Sequence, residues 1–125
     1  MRKFLMAAAG LAMIVPAMAQ AMTVADFLAK TEALKAKGIL AMGSPDITVL
    51  RNEIKGAGTA YRAKIDADVA AGRKPGSCPP PKGTANVTSD DIIAEFSRIP
   101  VAQRSKTSVE TAFAAFMTKR YPCKA

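Results

Sequence analysis

The sequence predicts an all-α fold: a small bundle of about four helices closed by one disulfide. Two observations give the helices. Apolar residues recur at three- and four-residue steps behind Ser or Thr caps, and no notable stretch alternates apolar with polar residues as a half-buried strand would. A third gives the staple, because the 125-residue chain holds two cysteines, Cys78 and Cys123, and no histidine. A lone cysteine pair behind an export signal reads as one disulfide.

The export signal comes first. Arg2 and Lys3 open the chain, and Phe4 to Val15 is an uncharged, mostly apolar run. Pro16 breaks it ahead of Ala17-Met18-Ala19, the small-x-small pattern a signal peptidase accepts, with Ala19-Gln20-Ala21 as a second frame. The run is too short for a bilayer span, which needs about 20 residues, so cleavage after Ala19 is expected and no span remains. Residues 1–19 are thus read as a signal peptide and 20–125 as a single domain in the periplasm. Removing Arg2 and Lys3 from the 18 basic residues leaves 16 against 10 acidic, a net charge of +6. These charges are scattered, and the few aromatics do not interleave with them, so nucleic-acid binding is not expected.

The first helix is expected over Val24 to Lys37, with Thr23 as N-cap, Asp26 in an acidic variant of the capping box, and Gly38 as the stop. Val24, Phe27, Leu28, Thr31 and Leu34 form its inward stripe. Ile39, Leu40 and Met42 then read as a short buried link. Ser44, Pro45 and Asp46 start a second helix, in which Ile47, Leu50, Ile54, Ala57, Tyr61, Ile65 and Val69 step along one face. Gly56 and Gly58 interrupt it, each costing roughly 1 kcal/mol relative to Ala, and mark either a close helix approach or a break.

Gly72 to Lys82 is a connector whose three prolines, Pro79, Pro80 and Pro81, forbid a helix and read as a strut fixing Cys78. A third helix is expected from Thr88 or Ser89, with a Thr88–Asp91 capping box, Ile92, Ile93 and Phe96 inward, and Pro100 as the limit. The fourth is read with a Thr107–Glu110 capping box, burying Val109, Ala112, Phe113, Phe116 and Met117 before Pro122. A Cys78–Cys123 bridge closes a loop of about 46 residues and restricts the unfolded chain by roughly 4 kcal/mol in the entropy model. Neither a Cys-x-x-Cys spacing nor a helix start at Cys78 suggests a redox pair.

Catalysis finds little material. The missing histidine removes the usual base of nucleophilic catalysis and the commonest metal ligand. Asp90 and Asp91 point about 100° apart on a helix, as adjacent residues do, and Asp66 and Asp68 also diverge. No calcium-loop spacing and no glycine elbow is present. The chain therefore reads as a binding protein, not an enzyme, without catalytic residues, metal or cofactor.

Within the last third, Ser77-Cys78-Pro79-Pro80-Pro81, Asn86 to Ile93, Ile99-Pro100, Ala112 to Phe116 and Tyr121-Pro122-Cys123 follow in order. This set resembles the Rap/Tai immunity proteins of type VI secretion over residues 77–123. Their pattern has a Cys-x-Pro, a threonine-capped helix, a proline after an amphipathic stretch, an alanine-rich helix and a terminal aromatic-Pro-Cys. Gly58 and Tyr61 echo a glycine- and tyrosine-containing helix upstream. Many members carry a further upstream cysteine that this chain lacks, and its first half departs from the usual pattern.

The resemblance implies a small periplasmic helical protein, often a homodimer, that binds and blocks a cell-wall-cleaving effector, commonly a peptidoglycan amidase. The partner would be such a secreted wall hydrolase. Candidate contacts are the loop Pro79, Pro80, Pro81 and Lys82, and Arg98, Arg104 and Lys106 between the third and fourth helices. The alternative is a general envelope stress or chaperone-like protein with no dedicated effector. Only Met22, Met42 and Met117 remain outside the signal to support adaptable client binding.

Overall fold

The computed structural model describes residues 21–124, so the signal-peptide reading lies outside the described residues. Five helices follow in order: α1 (Val24–Lys37), α2 (Pro45–Ala70), α3 (Ser89–Ser97), a single turn α4 (Val101–Arg104) and α5 (Val109–Arg120). The fold is all-α, as the sequence predicts. Among the described residues no helix is long and apolar enough to cross a membrane.

Two N-caps are built side by side. Thr23 Oγ1 accepts the Asp26 amide at 3.1 Å to start α1, and Ser108 Oγ accepts the Thr111 amide at 3.1 Å to start α5. The two cap segments pair as an isolated antiparallel bridge, with Val24 N donating to Thr107 O and Val109 N to Met22 O, both at 2.9 Å. Amides that a helix start leaves without an intrahelical partner are satisfied across the pair. Val24 and Val109 are then fully buried beneath it. The α5 cap is a correction: Ser108 takes the place expected of Thr107. Thr107 Oγ1 instead donates to Gln103 O at 2.9 Å, held by the α4 turn that the sequence did not suggest.

The core lies between α2 and α5, with α1 and α3 closing its other side. Val109, Ala112, Phe113, Phe116 and Met117 are all buried, as their spacing predicts. Phe113 meets Tyr61 of α2 edge-on at 6.1 Å, and Phe27 of α1 meets Phe96 of α3 edge-on at 5.3 Å. Such pairs add about 0.5–1.5 kcal/mol beyond their burial. On α3 the capping box is complete: Thr88 Oγ1 accepts the Asp91 amide, and Asp91 accepts the Thr88 amide.

Two apolar expectations are overturned. Ile39, Leu40 and Met42 occupy a 3-10 turn (Gly38–Gly43) and are 84, 79 and 82 % exposed. The turn packs chiefly against α1, and its apolar side chains are left uncovered. At the far end of α2, Val69 is exposed at 60 % while its neighbour Asp68 is buried at 8 %. Asp68, three residues after Ile65, falls on the inward stripe in place of Val69, and Arg73 and Lys64 both reach its carboxylate. The other α2 stripe residues hold, with Ala57 and Tyr61 buried and Leu50, Ile54 and Ile65 half-buried against the core.

Neither glycine breaks α2. The helix runs through both, and a Cβ at Gly58 would lie 3.9 Å from Phe113, an ordinary contact. A Cβ at Gly56 would meet nothing within 4 Å. Gly38 and Gly72 are different, since their φ values of 56° and 73° let the chain leave α1 and α2 in a left-handed conformation. Gly56→Ala is therefore expected to raise stability by about 1 kcal/mol. Urea unfolding measures this, and Gly72→Ala in the same assay should lower stability.

Candidate functional site

The strut, Tyr61 in the second half of α2 and the end of α5 converge on Ser77. Its side chain is almost wholly buried, 2 % exposed. Ser77 Oγ lies 2.6 Å from the Tyr61 hydroxyl, 2.9 Å from Tyr121 O and 3.3 Å from Met117 O. Carbonyls only accept, so the single Ser77 proton goes to them and the Tyr61 hydroxyl donates to Ser77 Oγ. One serine thereby joins α2, the strut and the last turn of α5. Beside it Cys78 N donates to Tyr121 O at 2.9 Å, and the Cys78–Cys123 disulfide, with 4.8 Å between Cα atoms, locks the same junction covalently.

From this junction the proline loop projects. Arg62 Nη2 donates to Pro80 O at 3.0 Å, and Thr84 Oγ1 donates to Pro81 O at 2.6 Å, so the middle and last carbonyls of the triproline are held. Pro79 and Pro80 are half-buried, whereas Pro81 and Lys82 are exposed. Lys82 stands over an open cavity of 630 Å³ with Lys55, Arg62 and Asp66 at its edges and Tyr61, Val87 and Phe113 in its wall. The exposed side of the loop is therefore basic and set on a fixed backbone.

The second candidate group lies elsewhere. Arg104 Nε donates to Ile99 O at 2.8 Å and Nη2 to Ser97 O at 2.7 Å, capping the end of α3. Arg98 is exposed and pairs loosely with Glu95 at 3.7 Å, and Lys106 is exposed. None of these three lines the cavity under Lys82. The structure thus keeps the two groups as separate surfaces.

The acidic groups are tied into structure. Asp91 is held below its ordinary value of 3.8 by hydrogen bonds from Thr88, its amide first, with Arg120 at 3.3 Å adding to the effect. Asp68 is also lowered, chiefly by the hydrogen bond from Lys64 and then by those from Arg73, against the opposing effect of burial. Asp66 is exposed, apart from Asp68. No group of three or more metal-ligating His, Cys, Asp or Glu side chains occurs among the described residues.

Sequence reasoning did not single out Tyr61, Ser77 and Arg62 as one cluster. Ser77 stood in the motif, but its partners lie 16 and 44 residues away, and no local spacing announces them. The chain is an all-α protein with one disulfide, a bond compatible with export to an oxidising compartment. Comparison with protein families, with curated proteins and with solved structures gives no match to this chain.

Ser77→Ala should lower stability by about 1–3 kcal/mol, because it leaves the buried Tyr61 hydroxyl without its partner, while the Tyr121 carbonyl keeps the Cys78 amide. The Ser77→Ala/Tyr61→Phe double variant should lose less than the two single variants combined, read by urea unfolding. A second outcome concerns acid. The carboxyls of Asp68 and Asp91 titrate lower folded than unfolded, so their contribution is present above the unfolded value near 3.8 and disappears as pH falls through the folded value. Thermal unfolding followed from pH about 5 to about 2.5 should show this decline, and Asp68→Asn should flatten it.

Proposed function

We propose that this chain is an exported periplasmic binding protein that neutralises a cell-wall-cleaving effector, of the amidase class, by covering its active-site groove. The observation that carries the reading is the junction at Ser77. The Ser77–Pro81 and Tyr121–Cys123 segments, which open and close the pattern that resembles Rap/Tai immunity proteins, are bonded to each other there. Their union presents the Pro81–Lys82 corner next to backbone carbonyls held by Arg62 and Thr84. A loop ordered before binding loses little entropy when it docks, which is what a stoichiometric inhibitor requires. Charge and shape complementarity then do the work, and no catalytic group is needed. A homodimer is part of the same reading and is measured by light scattering of the exported protein.

A client-binding envelope protein is the second reading, and the exposed Ile39, Leu40 and Met42 favour it. The two separate in one experiment. The exported protein is used to capture partners from envelope extract, and any captured wall hydrolase is expressed in the periplasm with and without this chain. Specific protection from lysis is expected, with Lys82→Glu weakening hydrolase binding at least tenfold at unchanged unfolding midpoint. Capture of no specific partner, together with general suppression of client aggregation, overturns the immunity reading.

A further inference from the structure

A groove of 460 Å³ opens between α1, α2 and the start of α3, on the other side of Lys55 from the cavity under Lys82. Sites for small organic ligands span about 300–1,000 Å³, are mostly apolar, and carry a few polar groups that orient the ligand. This one has that form. Leu34, Ile47, Leu50, Ile54 and Ile93 keep part of their surface open to it, and buried Phe27 and Ile92 form its floor.

The charged groups at its edge are both cations. Arg51 and Lys55 stand four residues apart on α2, on a common face. Neither Arg51 nor Lys55 makes an ion pair among the described residues, a state they share with several other cations, but these two alone line the apolar trough. Ser89, the third polar group of the rim, likewise makes no side-chain hydrogen bond there. Of the nearby carboxylates, Asp46 is paired with Lys30 and Asp91 with Arg120, while Glu53 and Asp90, close to the rim in sequence, make no ion pair with Arg51 or Lys55. Two unmatched cations over an apolar trough call for an occupant with an anionic head and an alkyl tail.

The length fits a simple molecule. From Ile47 to Lys55, α2 rises about 12 Å, and the trough follows it from the cationic rim toward the α1–α2 turn. We propose that the groove binds a fatty acid, its carboxylate between Arg51 and Lys55 and its alkyl chain along Leu50, Ile47 and Leu34. Charge-assisted hydrogen bonds fix the head, and the tail leaves water for the apolar wall. This site does not depend on the effector-binding reading, and Lys55 separates it from the cavity under Lys82.

The test uses the exported protein and dodecanoate below its micelle concentration, followed by calorimetry. Saturable one-to-one binding is expected, with a rise in unfolding temperature as ligand is added. Arg51→Glu/Lys55→Glu, two exposed positions, should weaken binding at least tenfold with the helical circular dichroism unchanged. Dodecanol should bind at least tenfold more weakly than dodecanoate, and Leu50→Trp should abolish binding by filling the trough. Absence of saturation overturns the proposal. So does equal affinity of the double variant or of the alcohol, or a dimer that Ile93→Arg dissociates while dodecanoate fails to bind.

Discussion

The buried hydroxyl of Ser77 is the constraint on which the rest of the structure depends. It takes the Tyr61 proton and gives its own to the carbonyls that end α5. Tyr61 also stacks edge-on against Phe113, so the same residue belongs to the apolar core and to this polar junction. A helix end has carbonyls with no partner of its own, and buried ones are costly unless something donates to them. Here the connector supplies the donors, through Ser77 Oγ and the Cys78 amide. The disulfide adds a covalent limit at the same point, restricting the unfolded chain by about 4 kcal/mol.

That junction has consequences in both directions along the chain. Upstream, the connector must leave α2 sharply, which Gly72 allows by its positive φ and which the Arg73–Asp68 contact holds in place. Downstream, the triproline is fixed before the chain turns toward α3, whose start is bound to α5 through Arg120, with Nη2 donating to Asn86 O at 2.6 Å. Lys119 adds an exposed pair with Glu95 at 3.0 Å. Surface pairs of this kind contribute little alone, about 0–1 kcal/mol. Their effect is directional, since they set how α3 lies against α5 above a core already formed by Phe96 and Phe116.

The α1–α2 hairpin is built by another rule. Its turn packs chiefly against α1 and leaves apolar residues in water. The trough beside that turn is bordered by two cations without partners, while the junction at Ser77 leaves no buried side-chain polar atom unsatisfied. At the junction the backbone is tied by hydrogen bonds and a disulfide. At the α1–α2 turn apolar side chains stay in water beside the trough. Binding surfaces are expected where apolar area and charge remain unmatched, and both features meet there.

The sequence by itself determined the class of fold, the span of α1, the caps at Thr23, Ser44 and Thr88, the buried face of α5 and the cysteine pair. Caps and helical stripes are local: they depend on residues within one or two turns, and a single chain records them directly. Tertiary structure alone decided the fate of Ile39, Leu40 and Met42, because burial needs a covering layer that no local pattern encodes. It also replaced Thr107 by Ser108 at the start of α5, where the bridge to Thr23 fixes which residue faces the helix. The Tyr61–Ser77–Tyr121 cluster and the trough beneath Arg51 and Lys55 arise the same way, from side chains far apart in sequence whose meeting is set by helix packing.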